Sequence, residues 1–434
     1  MATLEIHLGA NRQLTGQPKS APASLIAKLD LLSGDKETQK HSSREFVLSP
    51  VQASTFDDLE PGNWEVSVMS PSGRIIAKEV EVSSVKAATL RIDLRDKDFR
   101  KFGRKVATST PEEPMHPRAM ARGNRLAAFQ LRSVLKPPRT PDTPRIACLQ
   151  SRAVMPNMTP DTIIRKWRAI ADGVEGKSSI ELALSAQLAS APSLTAEPGV
   201  WALNDSDPEK RTWLVASSGP YRRLHVAPVP WNSPADRGGV SFVTHGRGSD
   251  FSSEIVLLDP DYSGLLAYLS QGAVNDAAAL LGQSQEQAGG LLPDYATSAT
   301  DILWSKRSSP LGAAAAAYVL IGSQDLSEKR PWHDWVGNLC QEFAWIPDGA
   351  ILLARLRLLQ AKTDEDGQDV LRLLNNALRR GLPYYTVGWS WMLRSFAHFP
   401  DDPIIKQARP LVERLSAALD MEEPFTTLQL SDEQ

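Results

Sequence analysis

The chain has 434 residues, 48 Lys/Arg against 51 Asp/Glu, a formal net charge of −3, and 42% hydrophobic and 23% charged residues. That length supports roughly two to four domains with real cores, and the ordinary composition excludes a fibrous or wholly disordered chain. Its two cysteines, Cys148 and Cys340, lie far apart, which excludes a disulfide framework and a multi-cysteine zinc site and fits a reducing cytoplasm. The first residues, MATLEIHLGA, lack the basic region and long apolar run of a secretory signal. No apolar run approaches the roughly 18 residues of a membrane span.

Residues 3–8, 24–32, 44–47, 62–69, 74–82 and 87–94 alternate apolar and polar side chains, the pattern of half-buried strands. Trp64, Val66 and Val68 share one face, which period-two spacing makes the core face. Pro61-Gly62 and Pro71-Ser72-Gly73 mark turns. The expectation is a β-sandwich over 1–95.

Residues 95–145 hold 13 Lys/Arg against five Asp/Glu, and seven prolines fall between Pro111 and Pro144. Such a segment buries little apolar surface, so 96–144 is expected to be a tether. Arg100, Lys101, Arg104, Lys105, Arg118, Arg122 and Arg125 are its candidate sites for cleavage by a basic-specific protease or for basic contacts. Only Phe99 and Phe102 lie near the densest of these cations, a thin platform for base stacking, and nucleic acid is an unfavoured partner.

A second β-rich domain is expected over 145–260. It opens with a helix at 159–173, where Thr159 can cap, Pro160 suits the first turn, and Ile163, Ile164, Trp167 and Ile170 fall at helical spacing. Strands are predicted at 179–188, 199–203, 211–217, 221–228, 239–244 and 254–258.

From Tyr262 onward the chain reads as short helices in tandem: 262–272, 275–282, 310–322, 331–343, 348–362, 367–381, 384–399 and 403–421. Ala350, Leu353, Ala354 and Leu358 make one stripe; Val370, Leu373, Leu374, Ala377 and Leu378 make another; Tyr385, Trp389, Met392, Leu393 and Phe396 a third. The expected fold class is therefore multidomain β plus α: an N-terminal β-sandwich, a second β-rich domain, a solenoid-like all-α domain over 261–422, and a flexible tail over 423–434.

Residues 56–66, Phe-Asp-Asp-Leu-Glu-Pro-Gly-Asn-Trp-Glu-Val, resemble the turn into a core strand of carboxypeptidase-regulatory-like and related prealbumin-type β-sandwich domains. The resemblance implies an accessory binding or stabilising module. The Ala377–Pro383 stretch, Ala-Leu-Arg-Arg-Gly-Leu-Pro, and the aromatic-rich helix after it resemble degenerate tetratricopeptide-like repeats. Joined, these modules are similar to adaptor proteins that accompany bacterial caspase-like or trypsin-like peptidases, which implies such a peptidase as a partner.

The residue sets that could carry chemistry read better as structure. His333 and Cys340 sit seven residues apart on one helix, about 10 Å along its axis, too far for a thiol–imidazole pair. His245, Ser249 and Asp250 occupy one loop, whereas a triad assembles from separated elements. Asp364-Glu365-Asp366-Gly367 lacks the ligand order of a calcium loop and reads as an interhelical turn. No catalytic residue, cofactor or metal is therefore expected, and the chain reads as a scaffold that binds another protein. Trp332, Trp335, Arg355 and Arg379 are its candidate docking residues. The alternatives are a protein regulated by cleavage within 96–144 and an enzyme of another type.

Overall fold

A computed structural model describes residues 2–10, 25–32, 44–48, 53–69, 75–84, 86–94, 144–153, 158–189, 193–194, 199–203, 207–231, 240–245, 251–257, 260–270, 273–275, 277–278, 281, 299–323, 330–361 and 364–431. The seven cations of the basic tether lie outside these residues. In chain order the strands are β1 (Ala2–Ala10), β2 (Leu25–Leu31), β3 (Arg44–Leu48), β4 (Ser54–Leu59), β5 (Gly62–Met69), β6 (Ile75–Val82), β7 (Ala88–Leu94), β8 (Arg145–Arg152), β9 (Gln187–Leu188), β10 (Ser193–Leu194), β11 (Val200–Leu203), β12 (Lys210–Ser218), β13 (Tyr221–Val226), β14 (Val240–His245), β15 (Ser252–Leu257) and β16 (Thr427–Leu430). The helices are α1 (Pro160–Val174), α2 (Ile180–Ala183), α3 (Pro260–Ser270), α4 (Ala299–Trp304), α5 (Pro310–Ser323), α6 (Pro331–Glu342), α7 (Pro347–Gln360), α8 (Asp364–Arg380), α9 (Thr386–Phe396) and α10 (Pro403–Ala417).

These elements fall into two compact units, 1–111 with 258–299, and 112–257 with 300–434. In the first, sheets β4-β1-β7 and β3-β2-β5-β6 enclose one core. Leu4 and Ile6 face Leu29, Trp64, Val66 and Val68 because alternate residues of each strand point inward. The Trp64 indole N–H donates to the Glu60 carbonyl at 2.9 Å, so the ring is buried with its polar atom satisfied. Strand β4 is not predicted from sequence: Asp57-Asp58 interrupts its alternation, and Asp58 has a φ of 63°, which Asp tolerates better than most residues. Helix α3 joins this unit, where the Ile26 N–H donates to Tyr268 Oη at 3.2 Å. The expected start of the helical domain at 261 therefore differs from the structure, in which its first helix completes the N-terminal unit.

The second unit merges the expected second β-rich domain with the later helices. Sheet β16-β13-β12-β8-β9 lies between sheet β10-β11-β14-β15 and the helices. Its central strand β12 is buried from Arg211 through Ser218, as a strand covered on both faces must be. Leu214 pairs with His225 and Cys148, on the side of the other sheet; Arg211 points the opposite way, towards the end of α8. Two expectations are corrected here. Residues 179–188 form the short helix α2 and only a two-residue strand, because Ser179 opens a helical turn that ends in Ser185 at positive φ. Residues 423–434 are not a flexible tail throughout, since β16 pairs with β13 from Arg222↔Leu430 to His225↔Thr427.

The helices run in two rows. In one, α7 packs on α5 and α9; in the other, α6, α8 and α10 each follow their row-one neighbour in sequence and pack on it. Helix α5 is buried from Pro310 to Ile321, and its five consecutive alanines let neighbouring backbones approach. A Cβ on Gly349 would lie 3.2 Å from the Cys340 Cα, which sets the contact of α6 with α7. Asp364-Glu365-Asp366-Gly367 is the first turn of α8 and not an interhelical turn; acidic residues are favourable at that end of a helix. Thr159 caps α1 as predicted, accepting from the Thr162 N–H at 3.3 Å.

Helix α1 is clamped to α10. Arg414 donates to Glu175 at 2.6 Å from two nitrogens and to Asp172 at 3.0 Å. The Arg414 hydrogen bond, then that of Lys177, holds the Glu175 carboxyl down at about 2. The groups are about one-third exposed, so solvent screening limits the interaction, and Arg414→Ala should cost only about 1 kcal/mol in a urea titration.

Candidate functional site

The sequence-predicted docking residues part company. Trp332 is buried, stacked edge-on against His333, and belongs to the core. That removes it as a docking residue: the apolar stripe of α6 turns Trp332, Val336, Leu339 and Cys340 inward. Trp335 is half-buried and packs at 4.7 Å, ring centre to ring centre, on Trp304. Trp304 is 62% exposed, and Lys306 Nζ lies 5.7 Å from its ring centre. Sequence reasoning missed Trp304 because it ends the six-residue helix α4, too short to show a periodic face. Arg379 is exposed on α8. Arg355 on α7 is half-buried; desolvation first, then the charge of Arg394 on α9, lowers its pKa. The two form a basic strip across neighbouring helices of one row.

Beside the row of α5, α7 and α9 the chain doubles back on itself. The segment after α8 crosses in front of α9 and is held by residues 423–426: the Thr386 N–H donates to Pro424 O at 3.0 Å and the Thr426 N–H to Tyr384 O at 2.8 Å. Thr426 Oγ1 donates to Pro383 O at 2.7 Å and accepts from the Trp389 indole at 2.8 Å.

Beneath this crossing lies Asp348, fully buried in the first turn of α7. Its Oδ1 accepts from Tyr318 Oη at 2.8 Å and from the Tyr385 N–H at 3.3 Å, and its Oδ2 from the Tyr384 N–H at 2.7 Å. Burial raises the carboxyl above its usual range, against these hydrogen bonds and Arg211. Only glycine fits at 388, because a Cβ there would sit 2.5 Å from Tyr318 Oη and 3.1 Å from Asp348 Oδ1.

The end of α8 is a second buried polar joint, and it explains the Ala377–Pro383 stretch. The helix stops at Gly381, whose φ of 103° suits glycine and whose N–H returns to Ala377 O at 3.1 Å. Trp167 of α1 donates to Leu378 O at 2.9 Å, and Arg211 of β12 donates to Arg380 O at 3.3 Å and to Leu382 O. The Arg211 guanidinium is sandwiched between the Trp213 and Tyr384 rings at 4.9 and 4.7 Å. Arg380 itself donates to Ile346 O at 3.1 Å and Cys340 O at 2.8 Å, closing the end of α6. His333 Nδ1 is engaged by Gln360 and the Arg330 N–H, and Cys340 is a buried free thiol raised above its usual range by desolvation. They form no dyad.

Between the two sheets His225 is fully buried. Its Nε2 lies 2.8 Å from Ser253 Oγ and its Nδ1 3.0 Å from Thr427 Oγ1, and its ring meets Phe242 edge-on. Thr427 Oγ1 also donates to Phe425 O. That network fits a neutral ring with Nδ1–H donating to Thr427 and Nε2 accepting from Ser253. Among the described residues no group of three His, Cys, Asp or Glu side chains is placed to hold a metal, and no helix is long and apolar enough to cross a membrane. The His245 side chain lies outside the description.

Residues 264–431 match the family model of the Y4kD C-terminal domain. The match begins within α3, spans the helical rows and ends with β16, the strand that completes the sheet built by residues 145–226. No curated protein and no solved structure matches the chain.

Proposed function

We propose that this chain is a non-enzymatic scaffold that docks another protein on its helical rows. The observation that carries the reading is the Trp304–Trp335 pair, a large aromatic surface left open beside an otherwise closed helical core. Exposed aromatic pairs with polar surroundings are the composition of interface hot spots. The strip of Arg355 and Arg394, with Arg379, favours an acidic partner surface, and complementary charge speeds and orients docking. The N-terminal sandwich would then add contacts, as the accessory modules it resembles do. The resemblance to adaptors of bacterial peptidases nominates a caspase-like or trypsin-like peptidase as that partner, in the cytoplasm.

The test is affinity capture with the tagged chain from its native source, repeated with Trp304→Ala/Trp335→Ala. Loss of a hot-spot pair of this kind should weaken partner binding about 30-fold or more, at roughly 2 kcal/mol. The melting temperature should fall by only about 2–4 °C, since Trp304 is mostly solvent-exposed and Trp335 is half-buried. A double variant that retains every partner at parental affinity rules out this surface as the docking site.

A further inference from the structure

We propose, resting on the reading of the Trp304–Trp335 pair as a docking surface, that the pair binds residues 111–117 of its own chain, Pro-Glu-Glu-Pro-Met-His-Pro. Bound there, the segment covers the surface that the partner protein needs. Residues 111–117 lie outside the described residues, and their sequence is what assigns them. Six of the seven prolines between Pro111 and Pro144 fall in two runs spaced by three, Pro111-Pro114-Pro117 and Pro138-Pro141-Pro144. A polyproline II helix has three residues per turn and rises about 3.1 Å per residue, so each run sets its prolines on one edge, about 9 Å apart. A tether that only joins two units has no use for that spacing. Proline-rich segments with this repeat dock on aromatic surfaces, because the fixed φ of proline leaves little entropy to lose.

The two rings suit such an edge. Trp304 is 62% exposed, and Trp335 backs it at 4.7 Å with the ring planes inclined by 57°. The same place has a charge to satisfy. Lys306 is 7% exposed, with its stem buried and its ammonium 5.7 Å from the Trp304 ring centre. Among the described residues no carboxylate pairs with it. Arg307 beside it is already paired with Glu342 at 3.3 Å. Asp301 and Asp334, the acids nearest the two rings in sequence, have interactions of their own.

Charge separates the two proline runs. Residues 111–117 carry Glu112 and Glu113 between the first two prolines, off the proline edge, and no Lys or Arg. Residues 138–144 carry Arg139 and Asp142, which cancel. The acidic run suits Lys306, and it has the same sign as the partner surface that the basic strip favours. Reach is no obstacle. Pro144 and both tryptophans belong to one compact unit, and the stretch from Pro117 to Pro144 spans up to about 90 Å when extended, at about 3.3 Å per residue. Joined in this way, the segment meets the rings at roughly millimolar effective concentration, so even a weak site is mostly filled.

The test is hydroxyl-radical footprinting of the full chain, read at Trp304 by peptide mass spectrometry. Trp304 should oxidise at least about threefold slower in the parent than in Pro111→Ala/Pro114→Ala/Pro117→Ala, as a mostly filled site requires. A synthetic peptide of residues 109–119 should restore protection to that variant saturably. The same peptide with Glu112→Lys/Glu113→Lys should bind at least about fivefold weaker. Equal oxidation in parent and variant would overturn the proposal. So would protection that grows with protein concentration, which marks a second copy, or equal protection by a peptide of residues 136–145. Partner capture by Trp304→Ala/Trp335→Ala keeps the two readings apart. Protection in the parent with capture unchanged in that variant would leave the self-contact standing and remove the docking reading; capture lost without protection would do the reverse.

Discussion

Asp348→Ala should destabilise the second unit by about 3–5 kcal/mol, the largest loss expected from any single truncation here. The substitution strands three buried donors at once: the Tyr318 hydroxyl and the backbone N–H groups of Tyr384 and Tyr385. None has water at hand, because Tyr318, Tyr384 and Tyr385 are fully buried. Those donors belong to α5 and to the segment joining α8 to α9, so the loss falls on the packing of the two rows and not on one helix. Asp348→Asn separates charge from hydrogen bonding. Its amide can keep one accepting oxygen but turns an NH₂ towards another N–H, and it should cost an intermediate 1–3 kcal/mol, roughly. The measurement is the urea midpoint of each variant with the slope checked for constancy. An alanine variant within experimental error of the parent would show that the carboxylate organises nothing.

The second large effect is acid sensitivity centred on His225. Desolvation first, then the charge of Arg223, holds its pKa down to about 3 against an ordinary 6.5. The unfolded chain therefore binds a proton that the folded chain refuses. The neutral ring's contribution is fully present above pH 6.5 and is lost as pH falls from there towards 3. At about 1.4 kcal/mol per pH unit, stability should drop by about 3 kcal/mol on reaching pH 4.5, and by about 5 kcal/mol at the end of the window. Glu175 titrates in a separate window. Its carboxyl is held down at about 2 from 4.5, so its contribution is present above 4.5 and fades only below. Glu175 thus stays out of the range from 6.5 to 4.5, and the Asp348 carboxyl, raised by burial, acts in the opposite sense in the parent and in His225→Gln alike, so the difference between the two isolates the histidine. Denaturant titrations across that range should show a loss of stability in the parent that is absent from His225→Gln; the same slope in both would locate the proton elsewhere.

Much of the fold was legible in the residues. The sandwich core followed from Trp64, Val66 and Val68 in strict alternation, and α1 from a capping threonine, a proline and four apolar residues at helical spacing. These are local signals, and local chemistry decides them. What stayed hidden was set by distant partners. Nothing near Thr427 announces a strand; it becomes one by pairing with β13, some 200 residues earlier. Arg211 sits in an apolar run, and its role is visible only once the end of α8 arrives beside it. Trp304 and Trp332 are the same residue type in similar company, and only packing divides them into a surface ring and a core ring. The Ala377–Pro383 stretch was noticed for its pattern, while its work, presenting carbonyls to Trp167 and Arg211, depends on elements outside it.

The pairing of β16 with β13 also has a consequence for synthesis. Residues 222–225 leave the ribosome about 200 residues ahead of 427–430, which at about 5–20 residues per second is a wait of tens of seconds. Through that interval β13 has an open edge and the His225 side chain lacks Thr427. An unpaired edge strand is a template for association with other chains. The nascent second unit is therefore most exposed to aggregation, and most in need of a chaperone, just before it closes.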